Sequence, residues 1–240
     1  MKKTFLVAMG SGDPAPWVKS FEKLLPEFNI AKLGDQVEPE HVNYAMTWYH
    51  PPGSLSGFKS LKAIFSMGAG VDHLFRDPHL PSVPTARVVD PDLTKRMTEY
   101  VVLHALSILR QTRRYRTQQS ERLWSDDDHQ PAAEHVRVGI MGMGVLGQDA
   151  AEKLSILGFD VAGWSRSPKS ISGMKLFSGH DELPRFLART DILIVLLPLT
   201  PETRGIINAK LLKGLARDGR VPAPSLINAG RGGLQKESEI

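Results

Sequence analysis

The sequence contains no cysteine, and this absence excludes two kinds of chemistry. Without thiols the chain can form neither a disulfide nor a thiolate metal site, which is typical of a reducing compartment. Aromatic residues make up only 7% of the chain, and basic residues exceed acidic ones by little, 30 against 26. The formal charge of +4 gives weak support for a nucleic-acid partner, because an anionic small molecule would explain it equally well.

Long hydrophobic runs are also missing. No run approaches the ~18 apolar residues of a membrane span, and the N-terminal run Phe5–Met9 is shorter than the ~7–15 residues of a signal-peptide core. We interpret this run as a first β-strand and expect a cytoplasmic protein with no membrane partner. With 240 residues, of which 41% are hydrophobic, the chain can bury a substantial core.

Short apolar runs alternate with helical segments along the chain, which is the pattern of α/β units built around parallel sheets. The predicted strands are Thr4–Met9, Tyr44–Trp48, Ala63–Ser66 and Ala86–Val89 in a first set, and Val136–Met141, Asp160–Trp164, Met174–Phe177, Asp191–Leu196 and Ser225–Asn228 in a second. A helical segment from Leu93 to Arg116 separates the two sets. We place the domain boundary just before it, which gives domains over residues 1–92 and 93–240.

That helical segment leads into a polar and then acidic stretch, with five arginines between Arg110 and Arg122. We interpret it as a solvated helix face followed by a surface loop, with phosphate binding as the alternative. The arginines are not supported by a pattern of interleaved aromatic residues. We therefore predict no nucleic-acid partner.

The segment Val136–Trp164 has the organisation of a dinucleotide-binding βαβ unit. An apolar strand runs into Gly142-Met143-Gly144-Val145-Leu146-Gly147, and a helical segment follows to Leu157 with Gly158 as its natural end. In this motif the first glycine permits a tight turn, the second lets the backbone approach a pyrophosphate, and the third lets helix pack on sheet. The helix start would then bind a diphosphate; a tight turn without a ligand is the alternative.

Trp164-Ser165-Arg166-Ser167 follows the second strand, about 20 residues past the glycines, where NAD-binding units place an Asp or Glu for the ribose 2′-hydroxyl. Here no carboxylate would repel a 2′-phosphate, and a guanidinium and two hydroxyls could hold one. Hydrogen bonds to charged groups contribute roughly 1.5–3 kcal/mol each, so we predict NADP over NAD by roughly one to two orders of magnitude. The alternative for Arg166 is a solvated loop arginine.

Three further segments combine with the glycine motif: FSMGAGVDHL at 65–74, LLPLTPETRGIIN at 196–208 and LINAGRGG at 226–233. In this order they resemble the D-isomer-specific 2-hydroxyacid dehydrogenases, and Trp48-Tyr49-His50-Pro51-Pro52 with Ser165-Arg166 is most similar to the glyoxylate/hydroxypyruvate reductase A branch. The resemblance covers essentially the whole chain. It implies a flavodoxin-like substrate lobe and a Rossmann-like cofactor lobe around a cleft, hydride transfer between a nicotinamide and a small 2-oxo acid, and a homodimer formed through the cofactor lobe.

The first domain contains the segments predicted to bind substrate. We interpret Ala63–Ser66 as a strand, Gly68-Ala69-Gly70 as a turn, and Val71–Phe75 as the start of a helix whose N–H groups could bind a carboxylate. The resemblance assigns Ala69 and Gly70 to the substrate carboxylate and places Trp48 beside the substrate. A purely structural turn and a core tryptophan are the alternatives.

Two segments of the second domain complete the predicted site. Leu197-Pro198-Leu199 ends a buried strand at the carboxyl edge of the sheet, where α/β folds bind ligands. By resemblance the segment Leu197-Pro198-Leu199 lines the cofactor, and Thr203 lies near its phosphates. The resemblance also assigns Asn228-Ala229-Gly230 to the cofactor. Buried apolar packing is the alternative for the two leucines.

Arg231 is the predicted catalytic and substrate-binding residue. Its planar guanidinium can bind both the carboxylate and the carbonyl of a 2-oxo acid. A fixed cation also stabilises the negative charge that grows on the carbonyl oxygen as hydride arrives.

The reaction further requires a proton, which in this family comes from a histidine oriented by a glutamate, both after Arg231. Only nine residues follow Arg231 and none is histidine. We therefore expect the 240-residue chain to be catalytically incomplete, to lack the sixth strand of the cofactor lobe, to leave Ser225–Asn228 as an edge strand, and to open a further helix at Leu234.

We assign the role of the proton donor to no histidine of this chain. His50, His73, His79 and His180 were the candidates, and we interpret His50 and His73 as loop or helix-surface residues. No His/Asp/Glu cluster has metal-ligand spacing, so no metal is predicted. The alternative function is a non-catalytic NADP(H)-binding module or sensor.

Overall fold

The computed structural model describes residues 2–126 and 130–240, and within them the strands form two five-stranded parallel sheets. The first sheet lies in the unit Met1–Asp90 and the second in the unit Pro91–Ile240. The α/β prediction is thus confirmed. The predicted boundary, before residue 93, lies within two residues of this division.

The first unit has the flavodoxin-like strand order. Its elements are β1 (Thr4–Met9), α1 (Ala15–Leu24), β2 (Asn29–Lys32), β3 (Val42–Trp48), β4 (Ala63–Ser66) and β5 (Thr85–Arg87), with a 3₁₀ turn at Pro39–His41. The sheet order is β2-β1-β3-β4-β5. Counted along the chain this is 2-1-3-4-5, the doubly wound arrangement in which ligands bind beyond the carboxyl ends of the strands.

Several sequence predictions for this unit needed correction. No strand was predicted for β2, an edge strand in which only Ala31 is buried, and β3 begins two residues before its predicted start. The last strand lies one residue earlier than predicted at its start and ends at Arg87, so Val88 and Val89 are exposed outside it. The helix predicted from Val71 is wrong, because residues 72–76 form a series of turns.

Alternating side chains of β1 build the two cores of the first unit. Leu6 and Ala8 belong to one apolar cluster, whereas Phe5 and Val7 belong to the other. This follows from the two-residue period of a strand, whose successive side chains point to opposite faces of the sheet. In the second cluster, the Phe5 ring lies 5.0 Å from the Phe21 ring of α1, so the single regular helix described in this unit packs on that face.

The second unit has the Rossmann strand order. Its elements are α2 (Pro91–Leu109), α3 (Thr112–Ser120), β6 (Arg137–Met141), α4 (Val145–Ile156), β7 (Asp160–Ser165), β8 (Lys175–Ser178), α5 (Gly179–Ala188), β9 (Ile192–Val195), α6 (Ala209–Lys213) and β10 (Ser225–Asn228), with 3₁₀ turns at Ala133–His135, Gly232–Leu234 and Glu237–Glu239. The order β10-β9-β6-β7-β8 becomes 3-2-1-4-5 when the strands are numbered within the unit. That is the order of the first five strands of a dinucleotide-binding sheet.

The structure confirms the five predicted strands of this unit, with ends shifted by at most one residue and with Ser225–Asn228 unchanged. The long predicted helix is interrupted at Gln111, whose φ of 49° lies in the left-handed region, so α2 and α3 are separate helices. The predicted helix from Leu234 is wrong, since a 3₁₀ turn occupies Glu237–Glu239. Part of the predicted acidic loop, residues 127–129, lies outside the described residues.

Two further predictions concern the edge of this sheet and its helices. Within the described residues β10 pairs only with β9, which confirms its position at the sheet edge. No helix in residues 2–126 or 130–240 is long and apolar enough to span a membrane.

A partly buried ion pair links β6 to the start of β9 at the amino edge of the second sheet. Arg137 at the start of β6 donates to both carboxylate oxygens of Asp191, at 3.0 and 2.7 Å, and to Asp218 at 2.8 Å. The Arg137 backbone N–H also donates to Asp191, at 2.8 Å. The hydrogen bonds to Asp191 and Asp218 raise the pKa of Arg137, so the charge that balances the buried carboxylate is permanent.

Candidate active site

The glycine-rich turn after β6 has a shape that two of its glycines make possible. Gly142 has a φ of 106°, and a Cβ placed on it would come within 2.7 Å of the Leu196 carbonyl oxygen. A Cβ on Gly147 would come within 2.0 Å of the Gly142 carbonyl oxygen. These two glycines are therefore explained by the packing of the protein on itself.

Gly144 has no such explanation. A Cβ on Gly144 would meet no protein atom within 4 Å, and its φ of −84° is open to any residue. Gly144 caps α4 without a side-chain hydrogen bond, so the helix start presents N–H groups beside this open space. The arrangement is suited to an anion that approaches the backbone closely.

Met143 contributes its backbone to the turn, while its side chain is buried in the core. Its carbonyl oxygen accepts hydrogen bonds from Lys169 Nζ at 2.6 Å and from Gln148 Nε2 at 3.1 Å. Sequence reasoning did not identify Lys169. Its spacing of three residues from Arg166 was the only available signal, and that spacing does not reveal the contact with the glycine turn.

The end of β7 separates side chains that face the core from side chains that face solvent. Trp164 is buried and its Nε1 donates to Gly179 O at 2.9 Å, so its ring has a structural position. Ser165 is also buried, and its hydroxyl donates to Ser167 O at 2.8 Å. Arg166 and Ser167 are exposed at the tip of this turn. No carboxylate occupies the turn itself.

The acidic group that Arg166 influences comes from another loop. The pKa of the exposed Glu202 lies below its ordinary value, first because of a hydrogen bond with the Thr200 side chain and to a smaller extent because of the Arg166 charge.

The hydroxyl of Thr203 stabilises the loop that follows β9. Thr203 Oγ1 donates to Pro198 O at 2.6 Å and accepts from the Thr200 N–H at 2.8 Å. Leu197 and Leu199 are half-buried and pack on the apolar cluster around α5 and α6. Thr203 therefore shapes the Leu197–Thr200 loop.

Asn228 at the end of β10 shapes the segment that carries Arg231. Its Oδ1 accepts from the Gly230 N–H at 3.1 Å, and its Nδ2 donates to Arg231 O at 3.2 Å and to Gln235 Oε1 at 2.6 Å. A Cβ on Gly230 would come within 2.9 Å of Leu197 O, so the segments after β9 and β10 touch here. Arg231 itself is exposed and has extended backbone.

The sheet register gathers these segments at one edge. Met141 pairs with Trp164 on one side and with Val195 on the other, and Val195 pairs with Asn228. All four segments predicted to bind the cofactor, including Ala229, thus leave neighbouring parallel strands at the same end.

In the first unit, Trp48 and the Gly68–Gly70 turn leave the adjacent strands β3 and β4. Thr47 pairs with Ser66 across these strands. A Cβ on Gly68 would come within 2.5 Å of a Trp48 ring carbon, so this glycine lets the half-buried indole lie against the turn. Ala69 and Gly70 are half-buried.

His50 and His73 lie in loop segments, as one of the two predicted alternatives has it, but both side chains are buried, so the helix-surface alternative is wrong. His50 Nε2 donates to Asp77 at 3.1 Å and its Nδ1 contacts the Thr47 hydroxyl at 2.5 Å. His73 Nε2 lies 2.9 Å from Ser66 Oγ. Asp77 lies 27 residues from His50 along the chain, so the sequence could not show this contact. His79 and His180 are exposed.

Burial alone would raise the pKa of Asp77. Hydrogen bonds from the His79 and Gly53 N–H groups, and then from His50, outweigh that effect and hold its pKa below the ordinary value of 3.8. Among the described residues, no three His, Asp or Glu side chains are arranged to hold a metal ion.

The Rossmann strand order, the glycine-rich turn and the helix that follows it define a dinucleotide-binding α/β protein. The sequence profile of the D-isomer specific 2-hydroxyacid dehydrogenase, NAD binding domain, matches residues 102–240. The chain belongs to the D-isomer-specific 2-hydroxyacid dehydrogenase family.

Named relatives agree with this family. The chain is 38% identical over 236 residues to glyoxylate/hydroxypyruvate reductase A of Photorhabdus laumondii, covering 95% of this chain and 72% of that protein. It is similar to the solved structure of a probable 2-hydroxyacid dehydrogenase from Rhizobium etli in complex with NADP, HEPES and L(+)-tartaric acid, with a TM-score of 0.90, 40% identity and coverage of 100% and 76% of the two chains. An NADPH-dependent glyoxylate/hydroxypyruvate reductase from Sinorhizobium meliloti, in complex with NADP and sulfate, gives a TM-score of 0.84, 44% identity and coverage of 99% and 76%.

Proposed function

We propose that the chain binds NADPH and acts in the reduction of a small 2-oxo acid, of the glyoxylate or hydroxypyruvate type, to the 2-hydroxy acid. The observation that carries the proposal is the open space at Gly144 beside the uncapped start of α4. A glycine with no packing role at this position is explained by a pyrophosphate that must approach the backbone. The names of the relatives, which are glyoxylate/hydroxypyruvate reductases, supply the substrate class.

The residues present fit NADP better than NAD. Arg166 and Ser167 are exposed at the end of β7, where an NAD-binding protein carries a carboxylate. The remaining cofactor contacts are proposed for the turn 142–147, for Leu197-Pro198-Leu199 with Thr203, and for Asn228-Ala229-Gly230. Met143, Trp164 and Ser165 would act through their backbone or by shaping the turn, because their side chains are buried.

The reduced nicotinamide, when bound, supplies a hydride for the carbonyl carbon of the substrate. The N–H groups of Ala69 and Gly70 would bind the substrate carboxylate, with Trp48 beside it. Arg231 would bind the carboxylate and the carbonyl oxygen, and would stabilise the negative charge that develops there. Arg231 is suited to this because a guanidinium stays protonated at any working pH.

The test measures binding of NADPH and NADH by fluorescence, and binding of the 2-oxo acid to the NADPH-saturated chain by calorimetry. Arg166→Met should weaken NADPH binding by roughly 10- to 100-fold and leave NADH binding unchanged, since it removes one charged hydrogen-bond partner. Arg96→Met is the matched control, because Arg96 is an exposed arginine paired only with Asp92 on α2 among the contacts described. Equal affinity of wild-type protein for NADPH and NADH would contradict the proposed cofactor.

Arg231→Met separates a reductase from a non-catalytic NADP(H) sensor. In a reductase this change should abolish binding of the 2-oxo acid while NADPH still binds. In a sensor, NADPH binding should depend on Arg166, and replacing Arg231 should cause no measurable loss of function.

We also propose a homodimer formed through the second unit. Leu103 on α2 and Leu123 and Trp124 after α3 expose large apolar surfaces, and Trp124 is 94% exposed. Leu103 and Leu123 line the same open groove, and a contiguous exposed apolar patch commonly marks a protein–protein contact. Light scattering on size-exclusion chromatography should show a dimer that Leu103→Glu dissociates; a monomeric wild-type protein would overturn this assignment.

A further inference from the structure

Ser66 and His73 form a buried hydrogen-bonded pair next to the Gly68–Gly70 turn. Ser66 ends β4 and is 2% exposed, and His73 is 3% exposed. Ser66 Oγ lies 2.9 Å from His73 Nε2. Two polar side chains placed in an apolar interior require partners with matched donors and acceptors.

The backbone fixes the direction of these hydrogen bonds. The Tyr49 N–H can only donate, and it points at His73 Nδ1 over 3.4 Å. His73 therefore accepts at Nδ1 and carries its proton on Nε2, from which it donates to Ser66 Oγ. The Ser66 hydroxyl keeps its own proton for a carbonyl oxygen of the turn, Gly68 O at 2.9 Å, with Gly70 O at 3.3 Å.

We call this chain of hydrogen bonds, from the Tyr49 N–H through His73 and Ser66 to the turn carbonyls, the relay. It determines which way the peptide groups of the turn face. The carbonyl oxygens of Gly68 and Gly70 point to Ser66, and the Gly68 N–H also lies 3.3 Å from Ser66 Oγ. Neither the Ala69 nor the Gly70 N–H donates a hydrogen bond to any residue in the described part of the chain. Two successive N–H groups on a half-buried turn form a concave site for an anion.

The same imidazole also positions the neighbouring strand end. The His73 ring lies 5.1 Å from the Trp48 ring and 5.4 Å from the Tyr49 ring. Tyr49 has a φ of 48°, in the left-handed region, which orients its N–H toward His73. His73 thus contacts both predicted substrate-binding segments of the first unit.

We propose that Ser66 and His73 are positioning residues for the substrate carboxylate. They hold the N–H groups of Ala69 and Gly70, together with the Trp48 ring, in the arrangement that binds a 2-oxo acid. The proposal rests on the proposed function, because it assigns no ligand of its own.

The test uses oxamate, an isosteric 2-oxo acid analogue that cannot be reduced at the same carbon, titrated calorimetrically into the 240-residue chain saturated with NADPH. Ser66→Ala and His73→Phe should each weaken oxamate binding by about tenfold, the equivalent of one hydrogen bond of about 1.4 kcal/mol. NADPH affinity should not change. Ser66→Thr, which keeps the hydroxyl, should retain oxamate affinity within about threefold.

A double variant distinguishes a relay from two independent contacts. Because both side chains act on the same peptide groups, Ser66→Ala combined with His73→Phe should cost little more than either change alone. His50→Phe is the control for a buried histidine of the same unit that is bonded elsewhere. It should lower the melting temperature and leave oxamate affinity unchanged.

The outcomes separate the two proposals. Wild-type protein that binds neither NADPH nor oxamate would overturn the proposed function. Wild-type binding together with undiminished binding by Ser66→Ala would overturn the positioning role alone. Ser66→Ala removes one oxygen atom, so it carries the test even where His73→Phe fails to fold.

Discussion

The two glycine-rich turns, 68–70 after β4 and 142–147 after β6, lie at the carboxyl ends of parallel strands but are held in different ways. The turn after β6 is fixed by backbone packing and runs directly into the helix α4. The turn after β4 is fixed by the side chains of Ser66 and His73, and a series of turns follows it. Fixed N–H groups at a sheet edge can therefore come from backbone packing or from a polar side-chain relay.

The largest loss of stability is expected for a substitution whose new Cβ would clash with backbone atoms. Gly147→Ala should destabilise the second unit by at least about 3 kcal/mol, because its Cβ would come within 2.0 Å of the Gly142 carbonyl oxygen and backbone would have to move. Urea denaturation measures this as a lower midpoint with an unchanged slope.

Gly144→Ala is the matched control in the same turn. Its Cβ meets no protein atom within 4 Å, so the cost should be limited to the poorer N-cap that Ala makes, about 1 kcal/mol or less. NADPH affinity should nevertheless fall by at least about tenfold, which is about 1.4 kcal/mol. Unchanged NADPH affinity in this variant would remove the main support for a pyrophosphate at the turn.

A smaller effect is expected in the first turn. Gly68→Ala should destabilise the protein by about 2 kcal/mol, because the new Cβ would displace the Trp48 ring, which can shift as a side chain. Gly57→Ala in the same unit should be near neutral, since its Cβ meets nothing within 4 Å. Crystal structures or Trp48 fluorescence would show whether the ring moves; an unmoved ring with wild-type stability would refute the packing argument.

The smallest effect is expected for Asp77, whose contribution to stability depends on pH. The folded pKa of Asp77 is depressed, so its contribution to stability is fully present above the ordinary value of 3.8 and is lost as the pH falls through the lower, folded value. Asp77→Asn should cost about 1 kcal/mol at pH 7 and should weaken the acid dependence of stability below about pH 4.

Denaturation midpoints of wild-type protein and Asp77→Asn between pH 3 and pH 7 check this. The segment that follows the first turn carries Asp77, whereas the turn 142–147 contains no titratable side chain. Parallel pH profiles for the two proteins would mean that Asp77 does not contribute as described.

The difference between the two turns also explains what the sequence could predict. The turn after β6 depends on local contacts and on glycines at fixed spacing, so its strand, turn, helix and cofactor class follow from the sequence. The helix predicted from Val71 was wrong: His73 and Asp77 are bonded to Tyr49 and Gly53, each 24 residues earlier in the chain, and His73 is also bonded to Ser66. Apolar spacing contains no information on such bonds.

Within the candidate site, residue type alone did not separate backbone roles from side-chain roles. Met143 and Trp164 belong to the predicted cofactor segments, yet their side chains fill the core. Lys169 was missed because its contact with Met143 O depends on how the turn after β7 folds back. β2 was missed for a related reason: an edge strand with one buried residue carries little apolar signal.

The unsatisfied N–H groups of the first turn have a consequence for amide hydrogen exchange. The Arg137 and Asp191 amides at the amino edge of the second sheet donate within the protein, so they should exchange slowly with solvent deuterons. The Ala69 and Gly70 amides donate to no described residue and should exchange quickly in ligand-free protein. When a carboxylate occupies the turn, these two amides should slow selectively, so residence of the substrate can be followed at two single peptide groups.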